Sequence, residues 1–391
     1  MFTLIRKILI TAACCTATAP FAQTAPTTTT TTTTTSNDRA SYPVVSIDST
    51  QYKNNNDNTV TDKITGLMWQ KDYKVLSFKE AIEYAESANV GGYNDWRVPN
   101  IKELYSLILF TGIDASNRDM YKVPDGAKPF IDIDSFDFAY GTNGKRVIDS
   151  QYLTTSVYTG KVMGKDKAVF GVNFADGRIK GYPLVHPRTK QDNKFTVRLV
   201  RGNTDYGKNN FQENNDQTVT DFATQLMWAK QDSKKAMDWS EAKEWIGQLN
   251  TEEYLGHSDW RLPNIKELQT IVDYTRSPQA TDSAAISPVF SVSSIKDEQG
   301  DLNYPAFWSS TTHLRVGPKS QSQAAYFCFG ECLGYMKRPN SKARTLLDVH
   351  GAGAQRAEPK TGNAKDYPNG HGPQGDVIRI ENYVRAVRDL S

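Results

Sequence analysis

The chain has 391 residues, with 46 lysines and arginines against 44 aspartates and glutamates, a formal net charge of +2 and 38% hydrophobic residues. That length exceeds one typical core and suits two domains, and the near-neutral balance excludes a bulk-basic nucleic-acid binder. Aromatic residues make up 11% of the chain, and such planar side chains suit a sheet-rich core as well as contact with sugars or proteins.

Arg6 and Lys7 precede a mildly apolar run, Ile8 to Ala19, too short to span a bilayer, and residues 1–22 read as an export signal. Cys14 and Cys15 lie inside this run, so lipid modification of one of them, giving a membrane anchor, is the alternative. The expected address is therefore periplasm, cell surface or medium. Residues 23–48 form a linker containing the unbroken threonine run Thr27 to Thr35, which cannot bury a core and is expected to stay extended, holding the folded part away from a surface.

The rest is written twice, over 49–203 and 204–391. Each copy opens on an Asn/Asp-rich turn (Asn54 to Asn58, then Asn214 to Gln217) that leads into a hairpin and lacks the ligand ladder of a dedicated calcium loop. TVTDKITGLMWQK at Thr59 to Lys71 then matches TVTDFATQLMWAK at Thr218 to Lys230. A capped helix follows, with Ser77 and Glu80 forming one capping box and Asp238 and Glu241 the other. Next comes the strongest match, DWRVPNIKEL at Asp95 to Leu104 against DWRLPNIKEL at Asp259 to Leu268. In it Trp96 or Trp260 anchors an extended stretch, Pro99 or Pro263 ends it, and Asn100 with Glu103, or Asn264 with Glu267, caps a second helix. Arg97 and Arg261 are expected to form structural ion pairs, Arg261 with the neighbouring Asp259.

A serine/threonine strand follows (Tyr152 to Tyr158, Phe307 to His313), then a hairpin (Ala168 to Tyr182, Ala324 to Met336) and a closing strand (Thr196 to Arg201, Tyr383 to Arg388). Arg198 and Arg385 stand between apolar neighbours on that last strand. Each is expected to be held against an acid, with Glu103 or Glu267 and Asp95 or Asp259 as candidates. The second copy alone carries a Gly-rich insertion, 348–376, in which Asp348, His350, His371 and Asp376 make only a weak metal set.

This order of motifs, twice over, resembles the bacterial domain family named for the C-terminal domain of the collagen-like adhesin Lcl. The resemblance implies an α+β fold of two tandem C-type-lectin-like domains, each with two helices and curled antiparallel sheets. It also implies adhesin-like binding of sulfated glycans.

Cys328 and Cys332 flank a tight turn in an exported chain, so a disulfide is expected. Charge is uneven along the chain. Lys161, Lys165, Lys167, Arg178 and Lys180 crowd the first hairpin, and Arg315, Lys319, Lys337, Arg338 and Lys342 the second. If they gather on one face, they form a site for an acidic polysaccharide, weakened by salt. The rival expectation is a structural or protein-interaction module of the cell envelope, with a surface protein as partner. Ser156, Ser309 and Ser310 lack a nucleophile elbow and the five histidines share no motif position, so neither enzyme activity nor a cofactor is expected.

Overall fold

The computed structural model describes residues 50–142, 144–337 and 343–390; the expected export signal with Cys14 and Cys15, the threonine-rich segment, Arg338 and Lys342 lie outside the described residues. In the first copy the Asn-rich turn joins β1 (Tyr52–Asn54) to β2 (Thr59–Asp62), and β3 (Leu67–Gln70) returns beside it. β4 (Lys74–Leu76) feeds α1 (Phe78–Ser87), and the decamer feeds α2 (Ile101–Ser106). Then come β5 (Gln151–Val157), the hairpin β6 (Ala168–Asn173) and β7 (Arg178–Pro183), and a closing segment that divides into β8 (Phe195–Val197) and β9 (Val200–Gly202).

The second copy repeats the path with β10 (Phe211–Glu213), β11 (Thr218–Asp221), β12 (Leu226–Ala229), α3 (Trp239–Thr251) and α4 (Ile265–Thr270). It adds a short α5 (Pro278–Thr281) and a small hairpin, β13 (Ile295–Lys296) with β14 (Leu302–Asn303). β15 (Ala306–His313), β16 (Gln323–Cys328), β17 (Leu333–Lys337), β18 (Arg344–Asp348), β19 (Gln355–Pro359) and β20 (Val387–Asp389) complete it.

The same local causes act in both copies. Val60 faces Trp69 and Trp69 faces Val200, and Val219, Trp228 and Val387 repeat that register, so each buried tryptophan is clamped between valines on both sides. Asn55 donates to the hydroxyls of Thr59 and Thr61 at 2.9 Å each, and Asn214 to those of Thr218 and Thr220 at 2.8 and 3.0 Å, so the turns are closed by their own side chains. All four capping boxes form. α2 and α4 then bury Ile101 and Leu104, Ile265 and Leu268.

The arginines depart from expectation. Among the described residues, Arg198 and Arg385 form no ion pair with an acid. Arg198 donates to the carbonyls of Gln70, Lys71 and Asp137, and Arg385 to those of Ala229, Lys230 and Ser291. Asp259 likewise pairs with Arg388 rather than Arg261, at 2.7 Å, as Asp95 pairs with Arg201 at 2.6 Å. Arg261 turns to Glu267 and Asp389, at 2.6 and 2.5 Å, and Arg97 to Glu103 at 2.7 Å. Each partner comes from elsewhere in the same copy: the closing strand supplies Arg201 or Arg388 to the aspartate, and the capping glutamate of the next helix takes the arginine.

Across the copies, β7 pairs antiparallel with β19 through Ile179 and Gln355, giving an eight-stranded sheet in the order β15-β16-β19-β7-β6-β5-β8-β4. The fold is α+β, and its largest apolar cluster draws on both copies, from Leu104, Phe170 and Ile179 to Leu268, Phe307 and Phe327. Two expectations for the second copy are corrected here. β16 does not hairpin with β17: β17 pairs with β18 in a separate two-stranded sheet, and β19, from within the Gly-rich insertion, takes the place beside β16 that β7 takes beside β6. Cys328 and Cys332 are joined in a disulfide at the point where the chain leaves the sheet for this excursion.

The contact between the copies has twofold character. Lys102 on α2 donates to the carbonyl of Thr270 at 2.7 Å, and Lys266, its counterpart on α4, donates to that of Ser106 at 2.9 Å. Ser106 and Thr270 are themselves counterparts, so each helix hands its lysine to the C-terminal end of the other, as in an isologous dimer interface.

Candidate functional site

One face of the eight-stranded sheet, with Tyr152, Phe170, Ile179, Phe307 and Phe327, packs in the cluster built around α2 and α4. Side chains alternate along a strand, so Leu153 and Val169 point the other way and pack with Ala81 and Ala85 of α1, while Trp308 and Tyr326 pack with Ala242 and Ile246 of α3. α1 and α3 thus cover the two ends of that second face. On its middle strands, β7 and β19, the same alternation presents Arg178, Lys180 and Arg356 to an open cleft of about 340 Å³.

This central cleft adjoins two others. It shares Arg315, Gln323 and His371 with a cleft of about 980 Å³ beside α3, and Arg146, Gln151 and Tyr182 with one of about 640 Å³ near β8. Together they make a trough across the joined sheet.

The electrostatics differ along it. The large cleft is lined by Lys243, Arg315, Lys319 and Lys360 and by no acidic residue. Trp239 lies on its wall with the ammonium groups of Lys243 and Lys360 each 4.1 Å from its ring centroid. Burial and the nearby Lys243 lower the pKa of Lys360, whose ammonium donates to the Thr312 hydroxyl at 2.7 Å. In the central cleft the acids are neutralised. Arg178 pairs with Asp114 at 2.9 Å and Asp176 at 3.3 Å, and Asp376 is held by Arg356 and by His350 at 2.8 Å. Burial alone would raise the carboxyl of Asp114, but Arg178 and His313 hold it well below the usual range. Lys180, desolvated and facing Arg356, is pushed down to about 8. Among the described residues, none of Lys180, Lys243, Arg315, Lys319 and Lys360 forms an ion pair.

Of the residues expected from sequence to bind an anion, Arg178, Lys180, Arg315 and Lys319 come together on this trough. Lys161, Lys165 and Lys167 are exposed on the β5–β6 connection and do not line it; the backbone N–H of Lys161 donates to Gln279 at 2.8 Å. Lys337 ends β17 opposite Arg344, also away from the trough lining, because β17 has left the main sheet. Sequence reading assigned none of Arg146, Trp239, Lys243, Arg356 and Lys360 to a site, and named His371 only in the weak metal set. For Trp239 and Lys243 a signal existed, since positions four apart share a helix face. Arg356, Lys360 and His371 lie in the stretch read as a Gly-rich loop, where nothing marked a strand. Asp348, also in that stretch, instead accepts the Tyr158 hydroxyl at 2.7 Å, and the described residues contain no group that could hold a metal ion.

The decamer residues serve as framework: the carbonyls of Pro99 and Pro263 accept from the backbone of Thr155 and Ser310, at 2.9 and 2.8 Å, tying each helix start to the strand beneath. The family model of the Lcl C-terminal domain matches residues 58–201 and again 217–346, together more than half of the chain. The chain belongs to the Lcl C-terminal domain family. It carries the Lcl C-terminal domain as a tandem repeat, and the second match ends before β19, so the strand that joins the two sheets lies outside both matched segments. A search of curated protein sequences gives no significant match.

Proposed function

We propose that this chain is an exported, non-enzymatic, adhesin-like protein whose two lectin-like halves bind an acidic or sulfated glycan along the trough. The observation that carries this reading is the stretch beside α3, where Lys243, Arg315, Lys319 and Lys360 surround Trp239 with no acidic residue among them. Cations on an apolar aromatic wall suit a chain that alternates ring faces with charged substituents. A folded protein gains nothing by holding unpaired like charges together, so such a cluster supports an anionic partner. Length matters as well: three adjoining clefts offer more room than a single small ligand fills.

The test is retention on immobilised heparin. Lys243→Glu with Lys360→Glu is expected to lower the eluting salt concentration sharply, whereas Lys161→Glu with Lys165→Glu, off the trough, leaves it near that of the parent. Equal retention of both pairs would refute the reading.

A further inference from the structure

Within the trough, the central cleft holds buried atoms of charged side chains that have no protein partner. Arg356 is bound to Asp376 through one nitrogen, while its Nε and Nη1 have no acceptor; Oδ1 of Asp176 has no donor. Buried polar groups are rarely left this way in a native protein unless something else meets them. The Arg356 side chain is only 11% exposed and that of Asp176 only 3%, so neither is a loose surface group. Lys180 completes the set, on the same sheet face and without an ion pair among the described residues.

We infer that Lys180, Arg356 and Asp176 form a subsite for a single acidic sugar residue, at the seam where the two copies join. The inference deepens the acidic-glycan reading and rests on it. The donor set asks for an oxyanion. The lone carboxylate oxygen asks for a hydroxyl, which a bare anion lacks and a sugar ring supplies. A cleft of about 340 Å³ lies at the small end of ligand sites, room for about one ring and its substituents. Tyr182 and Pro183 give it an apolar wall.

The subsite also belongs to neither copy alone. Lys180 and Asp176 come from the first copy, Arg356 from β19 of the second, and Arg356 lies beyond both segments that match the family. Its geometry depends on the β7–β19 pairing, hence on the tandem arrangement.

The experiment is calorimetric titration of the full chain with glucuronate, glucose 6-sulfate, glucose and inorganic sulfate, with heparin binding measured in parallel. One of the two acidic sugars is expected to bind at one site per chain, at least tenfold tighter than glucose or sulfate; which one does so separates a carboxylate from a sulfate group. Lys180→Gln is expected to weaken it at least tenfold and Lys161→Gln to leave it unchanged. Arg356→Lys, which keeps a cation near Asp376, serves as the second variant and is expected to weaken binding too. Absence of saturable binding by either acidic sugar, or inorganic sulfate binding as tightly as both, overturns the subsite. So does a Lys180→Gln protein that binds as the parent does. Heparin bound normally alongside any of these failures leaves the polymer reading intact. Sugar binding that depends on Lys180 with no heparin retention does the opposite, removing the polymer and keeping the subsite.

Discussion

Replacing Lys266 by methionine tests how the two copies are held together. Burial against α2 lowers the pKa of Lys266 from an ordinary 10.5 to about 8, with Asp62 opposing weakly. At roughly 1.36 kcal/mol for each factor of ten in proton affinity, keeping the ammonium charged in the folded state costs on the order of 3 kcal/mol. Below about pH 8 both folded and unfolded chains carry the proton, and the full cost is present. As pH rises towards 10.5 the folded chain has released the proton while the unfolded chain still binds it, so stability increases with pH across that window. Methionine has no proton to lose. At pH 7 the variant gains relief from desolvation and loses the hydrogen bond to the Ser106 carbonyl, about 1–3 kcal/mol, so its stability stays near that of the parent. Urea midpoints followed by tryptophan fluorescence from pH 7 to 10 give the comparison. The parent should pull ahead of Lys266→Met by up to about 3 kcal/mol between pH 8 and 10; other titrating groups are common to both proteins and cancel. Parallel curves for the two proteins would show that the lysine is solvated and that the reciprocal clasp contributes nothing.

Other outcomes follow from the same geometry. Arg385→Met leaves the carbonyls of Ala229 and Ser291 unpaired at about 1–3 kcal/mol each, while that of Lys230 keeps the N–H of Ser291; the loss is partly offset by relief of the burial that depresses this guanidinium to about 10, so thermal denaturation should report a net loss on the order of 1 kcal/mol. Asn264→Ala removes the cap of α4 and should lower stability by about 1 kcal/mol in the same assay, with Asn100→Ala matching it in the twin helix. Burial raises Asp348 from 3.8 to about 7, so it favours folding below pH 4 and loses that advantage as pH rises through 7. In Asp348→Asn the gain in urea midpoint between pH 7 and pH 4.5 should shrink by on the order of 3 kcal/mol relative to the parent.

The framework was legible because its causes are local. A cap three residues before a glutamate, a tryptophan directly after an aspartate and an asparagine beside threonines each act within one turn or hairpin, and each recurs. The arginine partners were not legible in the same way. Arg198 and Arg385 looked like halves of ion pairs because a buried charge calls for an opposite charge, yet three carbonyls take up the Nη donors of each, leaving only Nε without a partner. β19 was hidden for a different reason. Its residues, Gln355 to Pro359, show no run of branched apolar side chains, and they sit between glycines; they form a strand because two edges, β16 and β7, are waiting on either side. That is tertiary context overriding composition, and the central cleft depends on it.

The joined sheet also explains why the cationic residues had to be found in space. Each copy alone ends its sheet at an edge, β7 in one and β19 in the other, and an unpaired edge invites association with another chain. Pairing the two edges removes that hazard and places side by side two strands whose outward faces carry Arg178, Lys180 and Arg356. Burial first and the neighbouring Arg356 second lower Lys180 to about 8, and α2 and α4, clasped by Lys102 and Lys266, brace the opposite face of the sheet. A concentration of charge maintained by packing elsewhere is what a preformed anion site requires: the repulsion is already met in the folded chain, so an arriving oxyanion relieves it instead of having to organise it.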